Sequence, residues 1–264
     1  MRPRPVFIRA LIVLIVAVGP TALAAQTFQL LSGWPQANGV VHCMALDESN
    51  GLLYLGGDFT QMDGQNRERL AAIDINTGTI TTWAPSVNNT VLAIALRGDS
   101  IFIGGNFDQV NGEERTQLAA IDRTTGIVSS WAPVMNAPVL GLLAGMDVLY
   151  VGGLFTLADG QTRNRLAAFD GGLGTLNSWN PNAGSQVNTM MWNGPNILVA
   201  GIFPNVGGEL RTSLAELDPV TGAATAWTAN ANASALALSS SGGRVISGGQ
   251  FSTVNGSPRQ GVVG

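Results

Sequence analysis

Apolar residues in this chain come in short, dense runs rather than along a helical stripe. Val91–Leu96 (VLAIAL) and Ile101–Gly104 (IFIG) are continuous apolar stretches separated by the polar turn Arg97-Gly98-Asp99-Ser100. Runs of four to eight apolar residues between turn signals read as strands covered on both faces. Gln117–Ile121 and Ile127–Trp131 follow, joined by Asp122-Arg-Thr-Thr-Gly126. There Asp can bond its own backbone and Gly can take positive φ. The pattern therefore predicts four short strands and no helix in this stretch.

The same stretch is written five times with a period of 48 residues. Phe59, Phe107, Phe155, Phe203 and Phe251 keep the period without slippage, as do Gly64, Gly112, Gly160, Gly208 and Gly256. So do Arg67, Arg115, Arg163, Arg211 and Arg259. Trp83, Trp131, Trp179 and Trp227 form a further row, with Trp34 as an earlier member displaced by one residue. Four strands per repeat at a period of about 40–50 residues is the signature of an all-β propeller built from four-stranded blades. Phe28–Trp34 resembles an outermost strand that precedes any complete unit, while the last unit lacks one. The expectation is a ring of five blades closed by that N-terminal strand, which would remove exposed edges. A longer ring, cut short at the C-terminus, is the alternative.

The pattern GGxF…G…R…LAA[IF]D..TG…W.P resembles the bacterial delta-60 type propeller repeats, and its Gly pairs and Trp are kelch-like, without the Tyr expected between them. The resemblance covers residues 28–264. It implies a secreted or surface protein and carries over no catalytic residue.

Residues 1–25 read as a signal peptide: Arg2, Arg4 and Arg9, an apolar run from Ala10 to Val18, a Gly19-Pro20 break and an A-x-A site at Ala22–Ala24. The run is short for a membrane span. The expected domains are thus a leader over 1–25 and a propeller over 26–264, located in the periplasm, in the medium or at the cell surface. Net charge is −4 and would become more negative on loss of the leader, which removes three arginines and no acid. A nucleic-acid partner is excluded on that ground, since such binding needs a basic surface.

Candidate chemistry is sparse. His42 is the sole His and Cys43 the sole Cys. Neighbours on a strand point to opposite faces, so a Cys–His dyad is not expected. The inner-strand stretches VVHCMAL, VLAIAL, VLGLLA, VNTMMW and SALALS contain no Asp or Glu, which leaves a glycosidase-like channel without its carboxylates. The expectation is a non-enzyme with no metal and no cofactor. Arg67, Arg115, Arg163, Arg211 and Arg259, with Asn88 and Asn136 on the links between blades, would form a polar ring on the face carrying the long loops. That ring is the candidate ligand site, for a protein or a glycan. The competing reading of the Arg row is a structural fork holding loop carbonyls. Three functions remain in contention. They are a binding module, a purely structural module of a larger surface protein, and a lectin-like or glycan-hydrolysing propeller using loop carboxylates such as Glu113 and Glu114.

Overall fold

The structure is a computed structural model that describes residues 33–171, 174–241 and 243–264. Five antiparallel sheets follow one another. Blade 1 holds Val41–Asp47, Leu52–Gly57, Leu70–Asp74 and Thr79–Ile80. Blade 2 holds Val91–Arg97, Ser100–Gly105 and Leu118–Asp122. Blade 3 holds Val139–Ala144, Val148–Gly153 and Leu166–Asp170. Blade 4 holds Val187–Asn193, Asn196–Gly201, Leu214–Leu217 and Ala224–Thr228. Blade 5 holds Ala235–Ser241, Arg244–Gly249 and Val262–Val263. Among the described residues no helix is long and apolar enough to cross a membrane.

Fourth strands are shorter than the sequence predicts. In blades 2 and 3 they shrink to single bridges, Ile121 to Val128 and Phe169 to Leu176. In all four complete blades the side chain two residues before the Trp accepts the Trp N–H and the Arg of the hairpin takes that residue's carbonyl, so these bonds do not distinguish blades 2 and 3 from blade 4, whose fourth strand has five residues.

The link between second and third strands is a tight hairpin in every blade, as with Gln109–Val110 against Glu113–Glu114. Asn111 (φ 52°) and Gly112 (φ 80°) at its tip both adopt positive φ, the demand of a type I′ turn. At the other end of the blade, Asp122 Oδ1 accepts the N–H groups of Thr124 and Thr125, which closes the turn into the fourth strand.

The core lies between blades. Tyr54, Leu70, Ala72 and Trp83 of blade 1 pack on Ile101, Ile103, Phe107 and Ile121 of blade 2. The arrangement recurs between blades 2 and 3, 3 and 4, and 4 and 5. The Phe row is fully enclosed, from Phe59 through Phe251. The Gly pairs allow the close approach this requires: a Cβ on Gly57, Gly105, Gly153, Gly201 or Gly249 would strike a backbone carbonyl of its own blade or of the linker entering it.

The expected closure is not seen. Phe28–Ser32 lie outside the described residues, and among the described residues the last blade has three strands and no interface of comparable extent joins blade 5 to blade 1. Ile246 is 38% exposed and Val262 61% exposed, although their counterparts Tyr54 and Leu70 are fully buried. The outer flank of blade 5 therefore presents the kind of surface that the interior interfaces cover, whereas on blade 1 Leu53, Leu55, Ala71 and Ile73 are buried.

Candidate functional site

The long hairpins and the linkers between blades share one face, and the candidate Arg and Asn residues all lie on it. Each Arg follows the second arm of its hairpin, and its guanidinium turns inward. Arg67 Nη1 donates to Asn66 O at 2.7 Å and Nη2 to Thr81 O at 2.6 Å. Arg115 donates to Glu114 O at 2.6 Å and, through Nε and Nη2, to Ser129 O. Arg163 reaches Thr162 O (2.9 Å) and Asn177 O (2.8 Å). Arg211 reaches Leu210 O (3.1 Å) and Thr225 O (2.9 Å). In these four blades the second carbonyl is 14 residues downstream, in the segment after the turn that leaves the third strand. Arg259 has only Pro258 O, at 2.8 Å, and is exposed. Charge-assisted bonds from one guanidinium to two carbonyls tie hairpin to sheet.

The Asn residues are occupied in the same way. Asn88 Oδ1 accepts the N–H groups of Asp108 and Gln109, while its amide donates to Asp108 Oδ1. Asn136 accepts from Thr156 and Leu157 and donates to Thr156 Oγ1. Asn38 and Asn232 repeat the pattern. These side chains pin each linker to the hairpin beside it, and what they leave facing outward is small.

The apolar members of this face were not singled out from the sequence. The row after the Gly pair reads Asp58, Asn106, Leu154, Ile202 and Gln250. Leu154 and Ile202 are exposed, with Leu157, Val134 and Leu210 exposed on neighbouring loops of blades 3 and 4. Row members lean towards the next blade, since Thr90 Oγ1 of blade 2 donates to Asp58 of blade 1. His42 Nε2 lies 2.8 Å from the same carboxylate. Bonds from Thr90 and then His42 hold the Asp58 carboxyl below its ordinary value. The loop face thus carries exposed Leu154, Leu157 and Ile202 on blades 3 and 4, with Val40 also exposed beside the Asp58, His42 and Thr90 group of blades 1 and 2.

Cys43 faces the opposite way from His42, its Sγ directed at Val91 O of blade 2. Burial pushes its thiol up to about 12. Two buried acids escaped the sequence reading, and both are satisfied internally. Glu216 accepts from Asn193, Asn196 and Thr225. Burial works against the charged form of Asp47, yet bonds from Asn50 and Ser49, with the Arg123 guanidinium at 3.1 Å, hold its carboxyl below the usual range. Trp192 is packed rather than free, donating to Ala144 O at 2.9 Å and meeting Tyr150 edge-on. Among the described residues no group of three or more His, Cys, Asp or Glu side chains is placed to hold a metal.

No family model matches the chain, and no curated protein matches it. Solved structures do. The chain is similar to the β-propeller domain of Cps50 (Swd1) from Myceliophteria thermophila, with a TM-score of 0.54 and 13% identity over 82% of this chain and 64% of that one. It is also similar to a chain of a mitotic checkpoint complex, with a TM-score of 0.53 and 18% identity over 78% of this chain and 58% of that one. The chain spans less than two thirds of each of these two proteins. At such identities the likeness establishes the all-β propeller fold and nothing finer.

Proposed function

We propose that the protein is a non-enzymatic interaction module acting outside the cytoplasm, with the long-loop face as its contact surface for a protein partner. The observation that carries this reading is the apolar sector of Leu154, Leu157 and Ile202, exposed on a face where the other blades place Asp58, Asn106 and Gln250. Contiguous exposed apolar surface rimmed by polar groups marks interaction sites. The Arg and Asn ring supports the surface from beneath, because its polar groups are spent on loop carbonyls and amides. That a chain of a mitotic checkpoint complex shares the fold is consistent with a docking role.

The test is cross-linking capture from envelope material with two forms of the protein. A partner held by the wild type and lost by Leu154→Glu/Ile202→Glu, with an unchanged melting temperature, supports the proposal. Equal capture by that variant overturns the assignment of this face. A glycan array run beside it addresses the lectin alternative. A glycoside and ester screen with Glu113→Gln/Glu114→Gln as control addresses hydrolysis, and turnover abolished by that control would sink the non-enzymatic reading. N-terminal sequencing of the exported protein tests cleavage near Ala24 or Ala25. An intact Met1 on a membrane-bound form refutes it.

The delta-60 type repeat and a five-blade ring completed by Phe28–Trp34 belong to the same proposal. Trp34 supports the latter. It packs on the Leu53, Leu55 and Phe59 cluster of blade 1 beside Gly78, as Trp83 sits beside Gly126. Gln36 N–H donates to Asp63 Oδ1 as Ser86 N–H does to Asn111 Oδ1, so Trp34–Asn38 meets the blade 1 hairpin as the linker between blades 1 and 2 meets the blade 2 hairpin. Hydrogen exchange tests it. Joint protection of Leu30–Ser32 and Val262–Val263 is expected, and fast exchange in both refutes closure.

A further inference from the structure

The charges of the loop face are sorted by depth. The hairpin segments are residues 58–69 in blade 1 and their equivalents at 106–117, 154–165, 202–213 and 250–261. Every Asp and Glu in them is exposed, whereas among their arginines only Arg259 is. Arg115 and Arg163 are buried outright. The clamp is the cause. A guanidinium that donates to a carbonyl of its own blade is drawn under the hairpin, as Arg163 is by Asn177 O. A carboxylate only accepts and cannot serve a carbonyl, so it stays outside. The two signs are close in number, and depth rather than count makes the outer layer of this face negative.

These carboxylates adjoin the exposed apolar residues. Glu209 and Leu210 are consecutive on the second arm of the blade 4 hairpin, opposite Asn205–Val206, and both are exposed. Glu209 has only a loose partner, with Arg211 Nη1 at 4.0 Å. In blade 3, Asp159 lies just past Leu157 and accepts the N–H of exposed Val134. On the blade 2 hairpin, Glu113 pairs with Arg115 at 2.8 Å, and the Glu114 side chain has no partner among the described residues. An acidic rim by itself is a solvated surface. Beside uncovered leucine and isoleucine it selects the sign of whatever covers them.

We propose that the occupant of the loop face is a cationic protein segment. Its one or two apolar anchors would sit on Leu154, Leu157 and Ile202, with Lys or Arg side chains reaching Glu113, Glu114 and Glu209. The proposal rests on the loop face being the contact surface and names what that surface selects. Apolar anchors supply most of the affinity, and the outer charges supply steering and choice of partner. A second copy of this face, an anionic lipid surface or an acidic segment meets like charge there. An occupant without cations strips water from the carboxylates with no compensation.

The test is panning of a phage-displayed library of random linear peptides against the full chain, followed by association and dissociation rates for the enriched peptides made synthetically. Peptides with net positive charge and at least one large apolar residue are expected to be enriched. Leu154→Asn/Ile202→Asn copies Asn106 of the same row without adding charge, and it should speed their dissociation. Glu113→Gln/Glu114→Gln/Glu209→Gln should slow association and weaken binding by about tenfold, the usual worth of three exposed pairs. Salt at about 1 M, where the screening length is about 3 Å, should bring the wild type down to the triple variant. The three glutamates are exposed, so the melting temperature of the triple variant should match the wild type. Peptides that bind Leu154→Asn/Ile202→Asn as well as the wild type refute the assignment of the face itself. Peptides lost by that variant but neutral or acidic, or indifferent to the triple variant and to salt, leave the face standing and overturn the cationic occupant. No enrichment over panning without the protein overturns it as well.

Discussion

The five arginines of the repeated row provide a graded experiment within one molecule. Arg163 is 9% exposed and donates to two carbonyls, Thr162 O and Asn177 O. Each bond from a charged donor is worth about 1.5–3 kcal/mol. The buried, unpartnered Nε of Arg163 is relieved on truncation and pulls the sum towards the low end. Arg163→Ala should then cost about 3 kcal/mol, which for a domain of this size lowers Tm by about 6–12 °C. Arg115 should cost at least as much, since its Nε is also paired to Ser129 O. Arg67 and Arg211 make the same two carbonyl bonds from more exposed positions and should fall below both. Arg259 is exposed and bonds one carbonyl, that of the preceding residue, so Arg259→Ala should change Tm by no more than about 2 °C. Calorimetric melts of the five Ala variants without ligand decide it. A ligand-binding row would leave all five melts near the wild type. That outcome, or an Arg259→Ala loss equal to that of Arg163→Ala, refutes the clamp.

Three further outcomes are expected. Gly104→Ala should destabilise by about 1–3 kcal/mol, because its Cβ would drive into Val139 of the next blade, whereas Gly248→Ala should be near neutral with only Gly261 O at 4.0 Å; equal urea midpoints would contradict this. Cys43 should resist iodoacetamide at pH 8 in the native state and react once unfolded, its thiol lying at about 12; rapid native labelling would count against its enclosure. Asp58 has a folded carboxyl below its usual value, so its contribution is complete above the unfolded value of about 4 and is lost as pH falls through the folded one. Urea titrations should accordingly show the gap between wild type and Asp58→Asn closing on acidification, and a gap independent of pH would reject the Thr90 and His42 assignment.

Much of the architecture was legible because the repeat states it five times over. Period, strand order and turn chemistry follow from apolar runs, from Asn-Gly and Asp-Gly pairs, and from Asp at strand ends. The fourth strands were overread in blades 2 and 3, where only the Ile121–Val128 and Phe169–Leu176 bridges remain. The destination of each guanidinium was not legible, since the second acceptor lies 14 residues downstream and only the folded hairpin aims the side chain at it. The exposed apolar sector was missed because Leu154 and Ile202 look like core in a string of strands. Only the position of their row, just beyond the Gly pair, puts them in solvent.

A repeat protein carries its own controls, and this changes what a departure from the pattern means. Where four of the five blades spend the same residue in the same way, as with Asn38, Asn88, Asn136 and Asn232, the residue serves the fold. Where neighbouring rows depart together, the change has to be explained at one interface. Phe102 alone would leave a turn carbonyl unserved; Arg97 alone would meet a side chain at position 171; Gly171 alone would leave a gap. Together they supply a donor, Arg97 Nη2, to the Gly171 carbonyl where Phe102, in the Tyr150 row, has no hydroxyl. The apolar sector on blades 3 and 4 is a second clustered departure, on the opposite face. Both involve blades whose two flanks are each packed against a neighbour, where the supporting side chains are held most rigidly. A site needs that rigidity, and the outer flank of blade 5, with Ile246 and Val262 uncovered, does not provide it.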